Sequence, residues 1–184
     1  MKKDYSEQMV VQEWMCTALI DLMKEYDYDS ITITQITEKA GVSRMTYYRN
    51  YASKEDILRS YGSYLTELLA KEVRTASAYT AEKFFSLLFF FIEKNIDYIK
   101  TLIDNRKSGI ILDAMNRNIE DIASGKNLYT ARFAVGAFYN LMLGWINGGQ
   151  KESCEEIAHI MFSLINPKVT ENINNLYSEH FNKL

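Results

Sequence analysis

The sequence predicts an all-α protein. Composition is the first indication, because 184 residues with one proline, eight glycines and 47% hydrophobic content offer few of the turns that a sheet of this size needs. A second indication is the recurrence of apolar residues three and four positions apart along most of the chain. Helix-capping signals in front of several of these segments are the third. A chain of this length is expected to bury one substantial core.

The first two helices follow from their starts and their apolar spacing. An acidic start at Asp4 precedes apolar residues at helical spacing that continue to about Tyr26. Thr32 and Gln35 then form a T-x-x-Q capping box, in which the hydroxyl accepts from a backbone N–H and the amide reaches back. A short second helix is therefore predicted over residues 33–40.

A tight turn and a third helix follow directly. Gly41 is free to take a positive φ after the second helix, and Ser43 is placed to cap a third helix over residues 44–50. Ile36 and Tyr47 fall where two crossing helices would bury a small common core. The other side chains of the third helix are predicted to face outward.

Six further helices are predicted by apolar spacing between polar or glycine-containing breaks. Ser53 is predicted to cap the first of them, and Asn95 is predicted to cap the third. The predicted segments are residues 54–73, 84–92, 96–103, 111–122, 128–148 and 153–166, followed by an amphipathic piece at 169–181.

Two adjacent segments, 128–148 and 153–166, carry more apolar surface than one core can cover. Arg132, Asn140 and Asn147 interrupt the first, so burial against a second subunit is favoured over a membrane span. A two-fold four-helix bundle between two copies satisfies both segments. The predicted homodimer interface comprises Phe133, Ala137, Leu141, Trp145, Ile157, Met161, Phe162, Leu164 and Ile165.

Charge is distributed unevenly along the chain. The net charge is −3 with a pI near 5.5, which argues against a generally polybasic nucleic-acid binder. Residues 41–54 nevertheless contain three basic residues and no acidic one, and Arg44 and Arg49 supply planar forks for guanine edges or phosphates. Double-stranded DNA is therefore the predicted partner, and spacing alone leaves an ordinary helical hairpin as the alternative. The candidate DNA contacts are Thr32, Thr34, Ser43, Arg44, Met45, Thr46, Tyr48, Arg49, Asn50 and Lys54.

Residues 31–58 resemble the DNA-binding module of the TetR/AcrR family of bacterial transcription regulators. The family pattern is a threonine-led short helix, A-G-V-S, a T-x-Y core with a following aromatic residue, and S-K-E-x-[IL]-L. Asn50 stands where many members have histidine, and Tyr51 stands where most have phenylalanine. The matching residues are Thr32, Ile36, Ala40, Gly41, Val42, Ser43, Thr46, Tyr47, Tyr48, Tyr51, Ser53, Lys54, Glu55, Ile57 and Leu58.

The resemblance implies a helix-turn-helix DNA-binding domain over residues 1–52 and a helical effector-binding and dimerisation domain over residues 53–184. It also implies a dimeric repressor that a small molecule of unknown identity releases from a palindromic operator. The stretch from Phe133 to Met161 resembles the C-terminal regulatory region of one subgroup of the family. A co-regulator of the same fold that acts mainly through protein–protein contacts is the alternative.

An effector pocket is expected among aromatic and methionine residues of the larger domain, and a solid core is the alternative. The candidate pocket residues are Tyr61, Phe84, Leu88, Phe91, Tyr98, Leu102, Met115, Tyr139 and Met142.

Catalytic and metal-binding signatures are missing from the sequence. It contains no P-loop, G-x-G-x-x-G, H-E-x-x-H or G-x-S-x-G motif, so no enzyme activity, metal or cofactor is expected. Cys16 and Cys154 are far apart and are predicted to be buried thiols in a reducing compartment. No apolar segment follows the two lysines at the start, so a cytoplasmic protein without a signal peptide is expected.

Overall fold

The computed structural model describes residues 2–75, 80–122 and 126–165, and within these ranges the chain forms α-helices and no strand. The predicted all-α fold is confirmed. The amphipathic piece predicted at 169–181 lies outside the described residues. The helices are α1 (Lys2–Glu25), α2 (Ile33–Ala40), α3 (Arg44–Asn50), α4 (Lys54–Thr75), α5 (Ala81–Lys94), α6 (Ile96–Asp104), α7 (Gly109–Ile122), α8 (Lys126–Asn147) and α9 (Cys154–Leu164), with a 3₁₀ turn at Tyr28–Ser30 between α1 and α2.

The chain divides into two compact units. Unit 1 contains residues 1–65 and 97–110, and unit 2 contains residues 66–96 and 111–184. The helix α4 therefore contributes its first half to unit 1 and its second half to unit 2, while most of α6 belongs to unit 1. The family resemblance implies a different division, between a DNA-binding domain up to residue 52 and an effector-binding domain from residue 53. That functional division stays a prediction.

The turn between α2 and α3 forms as predicted. Thr32 Oγ1 accepts from the backbone N–H of Gln35 at 3.2 Å, and Gln35 Oε1 accepts from the N–H of Thr32 at 2.8 Å, so the capping box is complete. Gly41 ends α2 with φ +68°, a left-handed conformation that favours glycine. Ser43 Oγ accepts from the N–H of Thr46 and begins α3. The bounds of both helices agree with the predicted ones.

Unit 1 is held by a core to which four helices and the segment before α2 contribute. Burial removes these apolar side chains from water, which is the main driving force for packing short helices that have little intrinsic stability. The most deeply buried members are Met15 and Leu19 of α1, Ile31 before α2, Ile36 of α2, Ile57 and Leu58 of α4, and Leu102 of α6.

Lys54 joins the start of α4 to the 3₁₀ turn that leads into α2. Its ammonium group donates to the backbone carbonyls of Tyr28 and Ile31, both at 2.7 Å, and of Asp29 at 3.3 Å. The same nitrogen lies 4.7 Å from the centroid of the Tyr28 ring, within the range of a cation–π interaction. These contacts use all three ammonium protons, and the ammonium fixes the position of the turn.

Unit 2 is organised by α5, which packs along α9, and by α8, which also contacts α9. The ring of Phe89 is fully buried between aromatic neighbours, with Trp145 edge-on at 5.4 Å and Phe138 at 5.1 Å between centroids. The indole N–H of Trp145 donates to the carbonyl of Glu152 at 3.0 Å, so its polar atom is satisfied. This bond also fixes the turn that leads from α8 into α9.

One predicted helix cap is wrong. The side chain of Asn95 does not begin α6, because its Nδ2 donates to the carbonyl of Phe91 at 2.8 Å. The backbone N–H of Asn95 also donates to the end of α5. Asn95 thus closes the helix before it. An asparagine at such a junction can satisfy carbonyls on one side or N–H groups on the other, and sequence alone does not distinguish them.

Both cysteines are buried free thiols, as predicted. Burial raises the pKa of Cys16 well above its usual value, and burial with a hydrogen bond to Glu93 raises the pKa of Cys154 to about 12. Both sulfurs are therefore protonated at neutral pH and weakly reactive. None of the helices in the part of the chain that the structure describes has the length and apolar content needed to cross a membrane.

Replacing Lys54 by methionine is expected to destabilise the protein by about 1 to 3 kcal/mol, because backbone carbonyls of the turn before α2 lose a charged donor while the aliphatic stem is kept. Thermal unfolding followed by circular dichroism measures this effect. Lys39→Met, the same change at an exposed site on α2, is the control and should leave the melting temperature nearly unchanged. Equal melting temperatures for Lys54→Met and the wild type would show that the contacts of Lys54 do not stabilise the fold.

Candidate nucleic-acid interface

The third helix presents one buried face and one exposed face. Tyr47 is buried, whereas Met45 and Tyr48 are 78% and 67% exposed. Arg44 and Arg49 are exposed beside them. Met45 and Tyr48 thus form an exposed apolar pair on a helix that also carries two guanidinium groups. The exposed face of α3 is therefore the strongest candidate binding surface of unit 1.

Tyr47 anchors this face from below. Its ring packs edge-on against Tyr48, with 5.1 Å between centroids, and lies 5.8 Å from the ring of Tyr51. Burial is the main cause that raises the pKa of Tyr47, so the phenol stays neutral. The orientation of the exposed Tyr48 is thus set by an aromatic cluster that belongs to the core.

Four of the predicted DNA contacts also build the helices that carry the surface. Thr32 and Ser43 cap α2 and α3, and Ser43 Oγ lies 3.0 Å from Thr46 Oγ1. Asn50 Nδ2 donates back to the carbonyl of Thr46 at 2.7 Å, which leaves its carbonyl oxygen for an external donor. These side chains fix the ends of the helices. Thr34, another predicted DNA contact, is exposed on α2.

Lys54, a predicted DNA contact, is also bonded within the fold. Its three donors reach the carbonyls of Tyr28, Asp29 and Ile31, so its ammonium group positions the turn before α2, and its contact with DNA stays a prediction. The sequence could not show these bonds, because a lysine at a helix start gives the same sequence pattern whether it is exposed or bonded to a turn more than twenty residues away.

The chemistry of the exposed α3 face suits the major groove of DNA. Arginine can donate two hydrogen bonds to the O6 and N7 of guanine, and an apolar side chain such as Met45 can contact the methyl group of thymine. A tyrosine hydroxyl can donate to a phosphate oxygen, and a major groove about 12 Å wide admits an α-helix. No acidic residue lies between positions 41 and 54 to repel the phosphates.

The structure distributes the predicted pocket residues over both units. Tyr61, Tyr98 and Leu102 lie in unit 1, where Leu102 is fully buried and the Tyr98 hydroxyl donates to the carbonyl of Leu58 at 2.7 Å. The other six candidates lie in unit 2, where Phe84 and Met142 are buried in its core and the rest are partly buried: Leu88, Phe91, Met115 and Tyr139.

The predicted dimer residues separate into a buried set and an accessible set. Trp145, Ile157, Met161 and Ile165 are buried within the single chain, so they offer little accessible surface to a partner, and their place in a dimer interface stays a prediction. Phe133 and Leu164 are exposed, and the remaining candidates are partly buried: Ala137, Leu141 and Phe162. Sequence reasoning overestimated the free apolar surface because α5, α8 and α9 cover one another.

Comparison with known proteins gives matches over both units. Residues 17–61 match the model described as "Bacterial regulatory proteins, tetR family", and residues 79–167 match the model described as "Transcriptional regulator C-terminal region" of the TetR type. An uncharacterised HTH-type transcriptional regulator of Bacillus subtilis (strain 168), YxbF, is 28% identical over 174 residues. That alignment covers 85% of this chain and 45% of YxbF, so the chain spans less than half the length of this relative.

Two solved structures are similar to this chain. A TetR transcriptional regulator from Streptococcus agalactiae 2603V has a TM-score of 0.61 and 22% identity, over 90% of this chain and 98% of that one. A TetR transcriptional regulator from Rhodococcus sp. RHA1 has a TM-score of 0.48 and 14% identity, over 90% and 95% of the two chains. The first of these supports the fold. With the capped α2–α3 pair and family matches over residues 17–61 and 79–167, the chain belongs to the TetR family of bacterial transcriptional regulators.

Proposed function

We propose that this protein is a cytoplasmic dimeric repressor that binds a palindromic operator through α3 and is released by a small-molecule effector. The observation that carries the proposal is the exposed face of α3, where Arg44, Met45, Tyr48 and Arg49 stand together above the buried Tyr47. This face is left exposed by the fold of unit 1. It offers two guanidinium forks, an apolar contact and a hydroxyl, which together can distinguish base pairs in the major groove.

Dimerisation is supported by the exposed apolar residues of unit 2. Tyr129 and Phe133 are one helical turn apart on α8 and are 77% and 62% exposed, and Leu164 at the end of α9 is 72% exposed. Covering such side chains with a second copy removes them from water. A two-fold dimer presents two α3 helices in opposite directions, which fits an operator made of inverted half-sites.

Effector release needs a connection between unit 2 and the DNA-binding helices. The chain passes between the units at 65–66 within α4, at 96–97 at the start of α6, and at 110–111 within α7. An effector bound among the partly buried Leu88, Phe91, Met115 and Tyr139 would favour one arrangement of these helices. Release then follows from a difference in effector affinity between the DNA-bound and free arrangements.

Arg44→Ala is expected to cost about 1 to 3 kcal/mol of binding free energy on the operator and much less on scrambled DNA, because a guanidinium fork reads a base edge. Titrations of operator and scrambled DNA at several salt concentrations measure both losses. Arg117→Ala, which removes an exposed arginine from α7 in unit 2, is the control and should bind like the wild type. Equal losses on both DNAs would limit Arg44 to a phosphate contact.

Phe133→Asp is expected to weaken the dimer by several kcal/mol, since a carboxylate buried in an apolar interface has no partner. Sedimentation at micromolar concentration should then show monomers. Met45→Asp places the same charge on an apolar side chain of unit 1 that is 78% exposed, and this variant should remain dimeric. A wild type that sediments as a monomer would remove the dimer proposal.

Phe91→Trp tests the effector site. The larger ring should fill part of a pocket, so release by a compound that induces the wild type should need at least about tenfold more of it, while operator affinity stays the same. Phe90→Trp, at the more exposed neighbouring position, is the matched control and should respond normally. If the compound released Phe91→Trp from the operator at the same concentration that releases the wild type, the effector would bind elsewhere.

A further inference from the structure

The hydroxyl of Tyr98 occupies a notch in α4 that exists only because residue 62 is glycine. Tyr98 is buried on α6, and its hydroxyl donates to the carbonyl of Leu58 at 2.7 Å. A Cβ atom built on Gly62 would lie 2.9 Å from that hydroxyl oxygen, closer than real Cβ contacts allow, but 3.9 Å from the ring carbon that carries it. The hydroxyl group of Tyr98 is therefore the group that an alanine methyl at position 62 would displace.

Gly62 differs from the glycines inside α8, since a Cβ atom built on Gly136 or Gly144 would meet nothing within 4 Å. Glycine in the interior of a helix is less favourable than alanine. Gly62 lies well inside α4, eight residues after its first residue Lys54. The ring of Tyr98 also meets Tyr61 edge-on at 5.2 Å, so α6 holds α4 at two consecutive positions.

A second contact from the same segment reaches the start of α4. Lys107, just after α6, places its ammonium group 3.6 Å from a carboxylate oxygen of Glu55 and 4.4 Å from the centroid of the Tyr28 ring. Tyr28 is the residue whose carbonyl accepts from Lys54. Burial, followed by nearby carboxylates, raises the pKa of Tyr28 to about 12, so its ring is neutral when the two lysines approach it.

Residues 97–110 therefore contact both segments that flank the α2–α3 pair: the 3₁₀ turn before α2 and the helix α4 after α3. Three residues separate the end of α3 from the start of α4, and Lys54 at that start fixes the turn before α2. A rotation or shift of α4 would move both attachments of α2 and α3. We propose that Tyr98 and Gly62 are positioning residues for DNA binding, and that the fit of the hydroxyl into the notch sets α4 so that α3 reaches the bases. This inference rests on the proposed reading of DNA by α3.

The paired substitutions of this contact make a direct test. Gly62→Ala alone sets a methyl group against the hydroxyl and should lower operator affinity about tenfold or more, whereas non-specific DNA should bind nearly as before, because phosphate attraction depends less on helix orientation. Tyr98→Phe should lower operator affinity by a few-fold through loss of the hydrogen bond. In Gly62→Ala/Tyr98→Phe the methyl group takes the space that the hydroxyl leaves, so operator affinity should return to the level of Tyr98→Phe.

The measurement is the ratio of operator to scrambled-DNA affinity, taken well below the melting temperature of each variant. Gly109→Ala is the matched control, since a Cβ there meets nothing within 4 Å and it should bind like the wild type. If Gly62→Ala does not fold, Tyr98→Phe and the double variant still report the ratio. The inference would be overturned if Gly62→Ala and Tyr98→Phe both kept the affinity ratio of the wild type. It would also be overturned if Gly62→Ala folded and the double variant had no higher affinity ratio than Gly62→Ala. A wild type with no operator preference would instead refute the proposed function.

Discussion

The protein depends on stabilising two helices that are too short to form alone. With eight residues in α2 and seven in α3, each has more unpaired terminal groups than internal hydrogen bonds. Thr32 and Ser43 satisfy donors at the helix starts, and Gly41 turns the chain between them at a φ that other residues rarely adopt. Ile36 and Tyr47 then bury one face of the pair. With that face buried, the outward side chains of α3 form the proposed DNA-binding surface.

The rest of unit 1 positions this pair. Lys54 ties the turn before α2 to the start of α4, and the segment 97–110 supports α4 through Tyr98 and Lys107. The unit is therefore discontinuous in sequence, and part of it is supplied by a helix that follows α5 of unit 2. Both α4 and α6 lie at points where the chain passes between the two units.

Local features of the sequence predicted the α2–α3 pair correctly, because caps and turns depend on residues three or four positions apart. Thr32 with Gln35 and Ser43 with Thr46 are such pairs. Features that depend on distant partners were not predicted. The contact of Lys54 with the turn at Tyr28–Ser30 joins positions more than twenty residues apart, and that of Tyr98 with Leu58 joins positions forty apart. Helical spacing likewise shows that Trp145 lies on an apolar face of its helix. It does not show whether the same chain or a partner covers that face, and the structure shows that the same chain does. The exposed face of α3 was predicted as well, because only Tyr47 of this helix was assigned to the core, and the structure adds how far Met45 is exposed, at 78%.

The central claim is that two copies of α3 read a specific, two-fold symmetric DNA sequence. A genome-wide footprint of the protein, followed by footprinting of purified protein on the strongest sites, tests it most directly. We expect inverted half-sites that place two major grooves on one face of the duplex, with centres about 34 Å or a multiple of that apart, and protection that disappears when either half-site is scrambled. Binding spread evenly over the genome, without a shared inverted sequence, would rule out specific recognition by two copies of α3.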